Sequence, residues 1–268
     1  MNKKRHRIGL LAATAAILLG TGGVALANHS WDNYHWARTS NPFTLKVVDS
    51  VTSTWDPYLV EAKNDWSASS VLDLTIEPEP AGWTKAMKDR RRCWAVSGKI
   101  RACNYAYGNN GWLGIASIWA SGNHITQATT QVNDTYFNTS TYNTPAWRRL
   151  VMCQEIAHDF GLDHQDENFS NPNLGSCMDY TNDPDGPPSN EHPNQHDYDQ
   201  LEAIYAHFDS FSTVKNAVVG SSGQNKGEDE NSTEFGKALK QDNKGRNFLF
   251  EKDYGNGKKK ITFVFWAE

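Results

Sequence analysis

Residues 152–167 read MCQEIAHDFGLDHQDE, and the fold turns on what this stretch does. Gln154 and His158 are four positions apart, so on a helix they project from the same face one turn apart, where two donors can grip one ion. Glu155 is turned by about 100° on that helix and reaches a water held by such an ion rather than the ion itself, the place of a general base. Gly161 stops the helix and lets the chain reverse, which brings His164 back to the same point. Three protein donors and one open position form the arrangement of a catalytic zinc site. Upstream, Thr144 and Pro145 open the helix, and its stripe of Trp147, Leu150, Val151, Gln154, Ala157 and His158 recurs at spacings of three and four.

Working outward, FTLKVVDS (43–50) and VLDLTIEP (71–78) read as strands, and Trp55, Leu59, Ala62 and Trp66 lie at helical spacing between them. Residues 111–137 hold two β-rich runs joined by the turn cluster Ser121-Gly122-Asn123. After a Pro/Asn/Asp-rich loop, QHDYDQLEAIYAHF predicts a last helix with Leu201, Ile204, Tyr205 and Phe208 facing inward. Residues 211–232 read as a linker too polar to offset its ordering entropy. Gly255-Asn256-Gly257 sits between two apolar runs and predicts a β-hairpin within 233–268, an appendage too small to stand alone that should pack on the main body or on a partner.

The 268 residues, 38% hydrophobic, support one sizeable core with a small addition. A formal charge of −5 gives no basic field for nucleic acid, and Lys88 with Arg90, Arg91 and Arg92 reads as a solvated face. Residues 1–27 have a basic start, an apolar run and Ala25-Leu26-Ala27, the layout of a cleavable secretory signal, so no stable membrane insertion is expected after cleavage. Export makes disulfides available, and four cysteines allow three pairings. Cys93 and Cys103 flank WAVSGKIRA, which reads as a hairpin closed at its base, and the lack of any CxxC pair disfavours a four-cysteine zinc site.

The run Gln154-Glu155-Ile156-Ala157-His158-Asp159-Phe160-Gly161-Leu162-Asp163-His164, followed by Met178 in SCMDY, resembles the metzincin superfamily of zinc metallopeptidases (matrixin, astacin and serralysin-like), whose signature is HExxHxxGxxH plus a Met-turn. Only the first letter departs: Gln154 stands where the family has histidine. The resemblance implies an α+β zincin domain over 28–210, with a twisted mixed sheet, active-site helix, Met-turn and C-terminal helix. It implies Zn(2+) held by Gln154, His158 and His164, and Glu155 as the catalytic base. Leu113 to Ile118 would be the cleft-edge strand that pairs with an extended peptide or protein substrate. Met178 would shape a floor beneath the ligands. Tyr180 occupies the place of a tyrosine that approaches the zinc or the oxyanion in astacins and serralysins, although an ordinary core tyrosine reads equally well there. The resemblance also sets Cys153 beside Cys177 and so implies their disulfide.

An amide oxygen is a weaker zinc donor than imidazole, so the substitution lowers affinity while leaving a stronger Lewis acid. Two functions follow: a secreted peptidase that cleaves by Glu-activated, zinc-bound water, or a weak or metal-free pseudopeptidase that binds peptides or a partner outside the cell. Asp183 and Asp185 read as turn residues rather than calcium ligands; His124, His192 and His196 are assigned to turns and helix starts. Substrate preference and oligomeric state are not encoded in any motif.

Overall fold

The computed structural model describes residues 29–85, 87–214 and 235–268. The segment read as a secretory signal, and residues 215–232 of the one read as a linker, lie outside the described residues. The first elements are β1 (His35–Trp36), β2 (Phe43–Ser50), α1 (Asp56–Trp66), β3 (Leu72–Pro78), β4 (Ile100–Tyr105), β5 (Trp112–Ser121) and β6 (His124–Asn133). They are followed by α2 (Asp134–Phe137), α3 (Pro145–His158), α4 (Gln195–Ile204), β7 (Lys237–Gln241), β8 (Asn247–Gly255) and β9 (Lys258–Trp266). The protein is α+β, with one mixed sheet of nine strands in the order β3-β2-β4-β6-β5-β9-β8-β7 and β1 added to β6.

β2, β3, β4 and β6 run parallel, and β5 turns back antiparallel to β6 through the predicted turn. β2 alternates in burial with Phe43, Leu45 and Val47 inward, whereas β5 is buried along nearly its whole length, as a strand with both faces covered must be. α1 buries Leu59, Ala62 and Trp66, and the Trp66 indole N–H donates to the Cys153 carbonyl of α3 at 3.1 Å, which ties the two helices. α3 starts where expected: Thr144 caps it by accepting from the Trp147 N–H at 3.2 Å. Its burial exceeds a single stripe, because every residue from Met152 to His158 is enclosed by α1, the sheet and the Met178 segment.

Both disulfides, Cys93–Cys103 and Cys153–Cys177, are formed, and each closes a loop worth about 3 kcal/mol in the chain-entropy picture. The first closes a turn rather than a hairpin. Its strand β4 lies between β2 and β6, both parallel to it, so no antiparallel partner fits beside residues 94–99. Phe208, expected inward, is exposed, because α4 ends at Ile204 while Leu201 and Tyr205 take the core positions.

The hairpin around Asn256 forms and packs on the main body by extending its sheet: β9 pairs along β5 with Ile115 opposite Val264 and Ser117 opposite Thr262. The edge Leu113–Ile118, expected to be open to an extended substrate, is therefore filled by the chain itself. A long apolar edge is an unpaired template of N–H and C=O groups, and the β-rich run KKITFVFW supplies a partner with matching apolar faces. Among the described residues no helix is long and apolar enough to cross a membrane.

Candidate metal centre

α3 carries Gln154, Glu155 and His158 into the middle of the molecule. Its end is set by Gly161 at φ 104°, where a Cβ would lie 2.4 Å from the Tyr34 carbonyl oxygen, so any other residue would meet both backbone strain and a clash. The Trp31 N–H donates to the Gly161 carbonyl at 3.0 Å, and the Asp163 N–H to the His29 carbonyl at 2.8 Å, which clamps the turn that returns His164. The Gln165 N–H then donates to the Met178 carbonyl at 2.8 Å and joins this turn to the Met178 segment.

The His158 and His164 Nε2 atoms face each other at 3.2 Å. His158 Nδ1 lies 2.7 Å from the Leu162 carbonyl, an acceptor only, so Nδ1 carries the proton and Nε2 presents its lone pair. Burial pushes the His158 imidazole down to about 3 and that of His164 well below the usual range, so both are held neutral, the form that ligates metal.

Gln154 is oriented by the neighbours of Met178. Its Nε2 donates to the Cys177 carbonyl at 2.7 Å and the Asp179 carbonyl at 3.2 Å. Two acceptors consume both amide hydrogens and force Oε1 to the other side, where it is buried without a hydrogen-bond partner. The Cys153–Cys177 disulfide fixes the same two segments. Two neutral imidazoles, each able to present a lone pair, and an orphaned amide oxygen one helical turn before His158 make a donor set whose chemistry fits a divalent ion of the zinc class.

Both Glu155 carboxylate oxygens are buried without hydrogen-bond partners. Burial, with the Asp159 carboxyl adding to it, raises the Glu155 carboxyl well above the usual range. The carboxyl packs against β5: a Cβ on Gly114 would fall 2.4 Å from Glu155 Oε1, so that glycine is the room Glu155 occupies. The base expected from sequence thus sits under the strand expected to bind substrate.

Above this centre lies an aromatic cover that sequence reading missed. Phe263 of β9 stacks on His158, with ring centroids 3.7 Å apart and planes 10° apart, and on Trp31 at 3.9 Å. Tyr180 stacks on His164 at 4.8 Å, and Phe248 of β8 approaches the same ring at 5.3 Å. The Tyr180 hydroxyl is 3.5 Å from the Trp266 backbone nitrogen, and burial pushes its pKa above the usual tyrosine range. Met178 is fully buried. The cover is anchored at its ends: Lys240 of β7 pairs with Asp163 at 2.5 Å and Glu167 at 3.2 Å, and the Glu268 N–H donates to the Tyr142 hydroxyl at 2.6 Å.

The other candidates resolve as structural contacts. Asp183 accepts from the Gly186 N–H at 2.9 Å and closes a turn; His192 pairs with Asp65 at 2.8 Å, and His196 stacks on His29. No family model matches the chain, and no curated protein matches it either.

Proposed function

We propose that the protein is a secreted zinc metallopeptidase of metzincin type, described in a self-covered state. The observation that carries this reading is the pair of facing His158 and His164 nitrogens, with the orphaned Gln154 amide oxygen one helical turn before His158 and an unpartnered Glu155 carboxyl next to it in sequence. A scaffold has no use for such unsatisfied groups in its core, since each costs free energy to bury. The element order is compatible with the reading: from β2 it runs strand, helix, four strands, the short α2, the donor-bearing α3, the Met178 segment and α4. Two disulfides agree with an oxidising compartment.

Bound zinc would supply a Lewis acid that polarises a peptide carbonyl and makes water nucleophilic near neutral pH. Gln154, His158 and His164 would hold it. Glu155 would take the proton from that water and pass it to the leaving amine, a task for which a carboxyl with a raised pKa is suited. β5 would align the substrate by main-chain hydrogen bonds once β9 has left it.

β9 does not leave easily. Ile261, Phe263 and Phe265 are buried, and at about 1.5–3 kcal/mol each they hold the strand by roughly 5–9 kcal/mol before backbone bonds are counted. At about 1.4 kcal/mol per decade the open fraction is below about one part in a thousand. Intact protein should therefore show very low activity. The same cover favours a second reading, a silent module that no longer cleaves.

A peptide-library assay on zinc-loaded Phe263→Ala separates the two. We expect cleavage, and we expect Glu155→Gln in that background to keep its zinc and lose at least about two orders of magnitude in rate. Equal rates with and without Glu155 would leave the silent module standing, and failure of the parent to take up zinc even after unfolding and refolding with the ion would remove the metal centre.

A further inference from the structure

We infer that His35, His207 and Asp209 form a second site for a divalent transition-metal ion of the zinc class, a clasp between the N-terminal strand and the segment after α4. The inference does not depend on the peptidase reading. His35 Nε2 and His207 Nε2 lie 3.1 Å apart, Asp209 Oδ2 is 3.6 Å from His35 Nε2, and Asp209 Oδ1 is 3.9 Å from His207 Nε2. Donors about 2.0–2.1 Å from one tetrahedral ion stand about 3.3–3.4 Å from each other; the two imidazole nitrogens are already near that spacing, and one donor atom from each of the three residues lies within 4.8 Å of the others, so a rotation of the Asp209 carboxylate and of the exposed His207 ring would close the set.

The surroundings are those of a ligand set. His35 Nδ1 is 2.6 Å from the Asn33 carbonyl, which fixes its proton there and leaves Nε2 as a lone pair aimed at His207. Asp209 is oriented from both sides: Oδ1 lies 3.1 Å from His124 Nε2, and Oδ2 accepts from the Arg38 backbone N–H at 3.1 Å. The buried Arg38 guanidinium also donates to the Tyr205 carbonyl at 2.6 Å and to the His207 carbonyl, so the backbone carrying both later ligands is already held in place. His35 and Asp209 side chains are 6% and 9% exposed, whereas His207 is 55% exposed, which leaves one side open to an incoming ion and to a water as fourth ligand.

The Asp209 oxygens are themselves engaged by His124 and Arg38, so what separates this cluster from two others is the placing of the imidazoles. Beside Asp197, His196 stacks on His29 with ring planes 16° apart, whereas His35 and His207 meet through their Nε2 atoms. The cluster of Asp163, His164 and Glu167 has a single imidazole, whose Nε2 already faces His158, and its carboxylates hold the Lys240 ammonium. At His35, His207 and Asp209 the one cationic side chain in contact, Arg38, approaches Asp209 from its Oδ2 side at 3.4 Å and leaves the imidazole nitrogens facing the carboxylate.

The test is a zinc titration of chelator-stripped full-length protein against a chromophoric competitor, for the parent, His207→Ala and Asp209→Asn, with thermal melts in parallel. Because His207 is exposed, its variant should fold as the parent does, and circular dichroism checks this. We expect the parent to bind one equivalent more than either variant, whatever the buried centre contributes, and to show a zinc-dependent rise in melting temperature that His207→Ala reduces. Residual binding at the site should be weaker by at least about tenfold, since even the loss of a supporting partner costs that much. Equal stoichiometry in all three proteins would overturn the inference and leave the 3.1 Å contact as an ordinary hydrogen bond between the two rings.

Discussion

His158 and His164 face each other through Nε2 atoms 3.2 Å apart, and His35 and His207 do so at 3.1 Å. In each pair one ring has its Nδ1 committed to a backbone carbonyl, Leu162 or Asn33, so the donor chemistry is nearly the same. What differs is cover. The first pair lies beneath Phe263, Phe248 and Tyr180 with almost no contact with solvent, while the second has one ring open to it. Donor geometry sets whether an ion can be held; the cover sets how fast it arrives and what else can reach it.

The largest effect should come from removing that difference. Phe263→Ala deletes a ring whose loss in a packed core costs about 3–5 kcal/mol, most of it falling on the docking of β9. Zinc association at the buried pair, followed by stopped-flow with a fluorescent chelator, should speed up about a hundredfold or more, with the exposed pair unchanged. If both pairs already load at the same rate in the parent, the cover is not a barrier.

Gln154→His should act on the buried pair alone. It replaces an amide oxygen with an imidazole, and zinc affinity should rise about tenfold or more, with Gln154→Ala moving it the other way. Metal loss on acidification should steepen, since a third imidazole must lose its proton to bind and the amide has none to lose. Identical affinity in the parent and in Gln154→Ala would mean that the orphaned oxygen is not a ligand.

The smallest effect belongs to the exposed pair. His124 holds Asp209 Oδ1 at 3.1 Å, so His124→Ala should weaken zinc there about tenfold and leave the buried pair untouched. A competition titration that finds no change would show that Asp209 is held well enough by Arg38.

Legibility in the sequence followed the range of the interactions. α3 could be read because its cap, its stripe and Gly161 are all within twenty residues, and the β8–β9 hairpin because its turn is three residues long. β7 was invisible: KALKQ is an edge strand with four exposed positions and no alternation to detect. β1, two residues long, has no period at all. The pairing of β9 with β5 and the meeting of His35 with His207 join segments that no local pattern connects. In the centre, the donors were named from spacing, but the direction of the Gln154 oxygen depends on two carbonyls of a distant turn, and the aromatic cover on where β9 docks.

The Ser117 and Thr262 hydroxyls, 3.1 Å apart in space, are 145 residues apart along the chain, and a contact of that range forms late because the entropy of closing so long a loop must first be overcome. During folding, α3 and its histidines can therefore exist before β9 is in place. In that interval an ion meets an open cup; afterwards it meets a closed one whose opening is as rare as partial unfolding. The metal content of a mature molecule would then record the solution in which it folded rather than the one in which it is found.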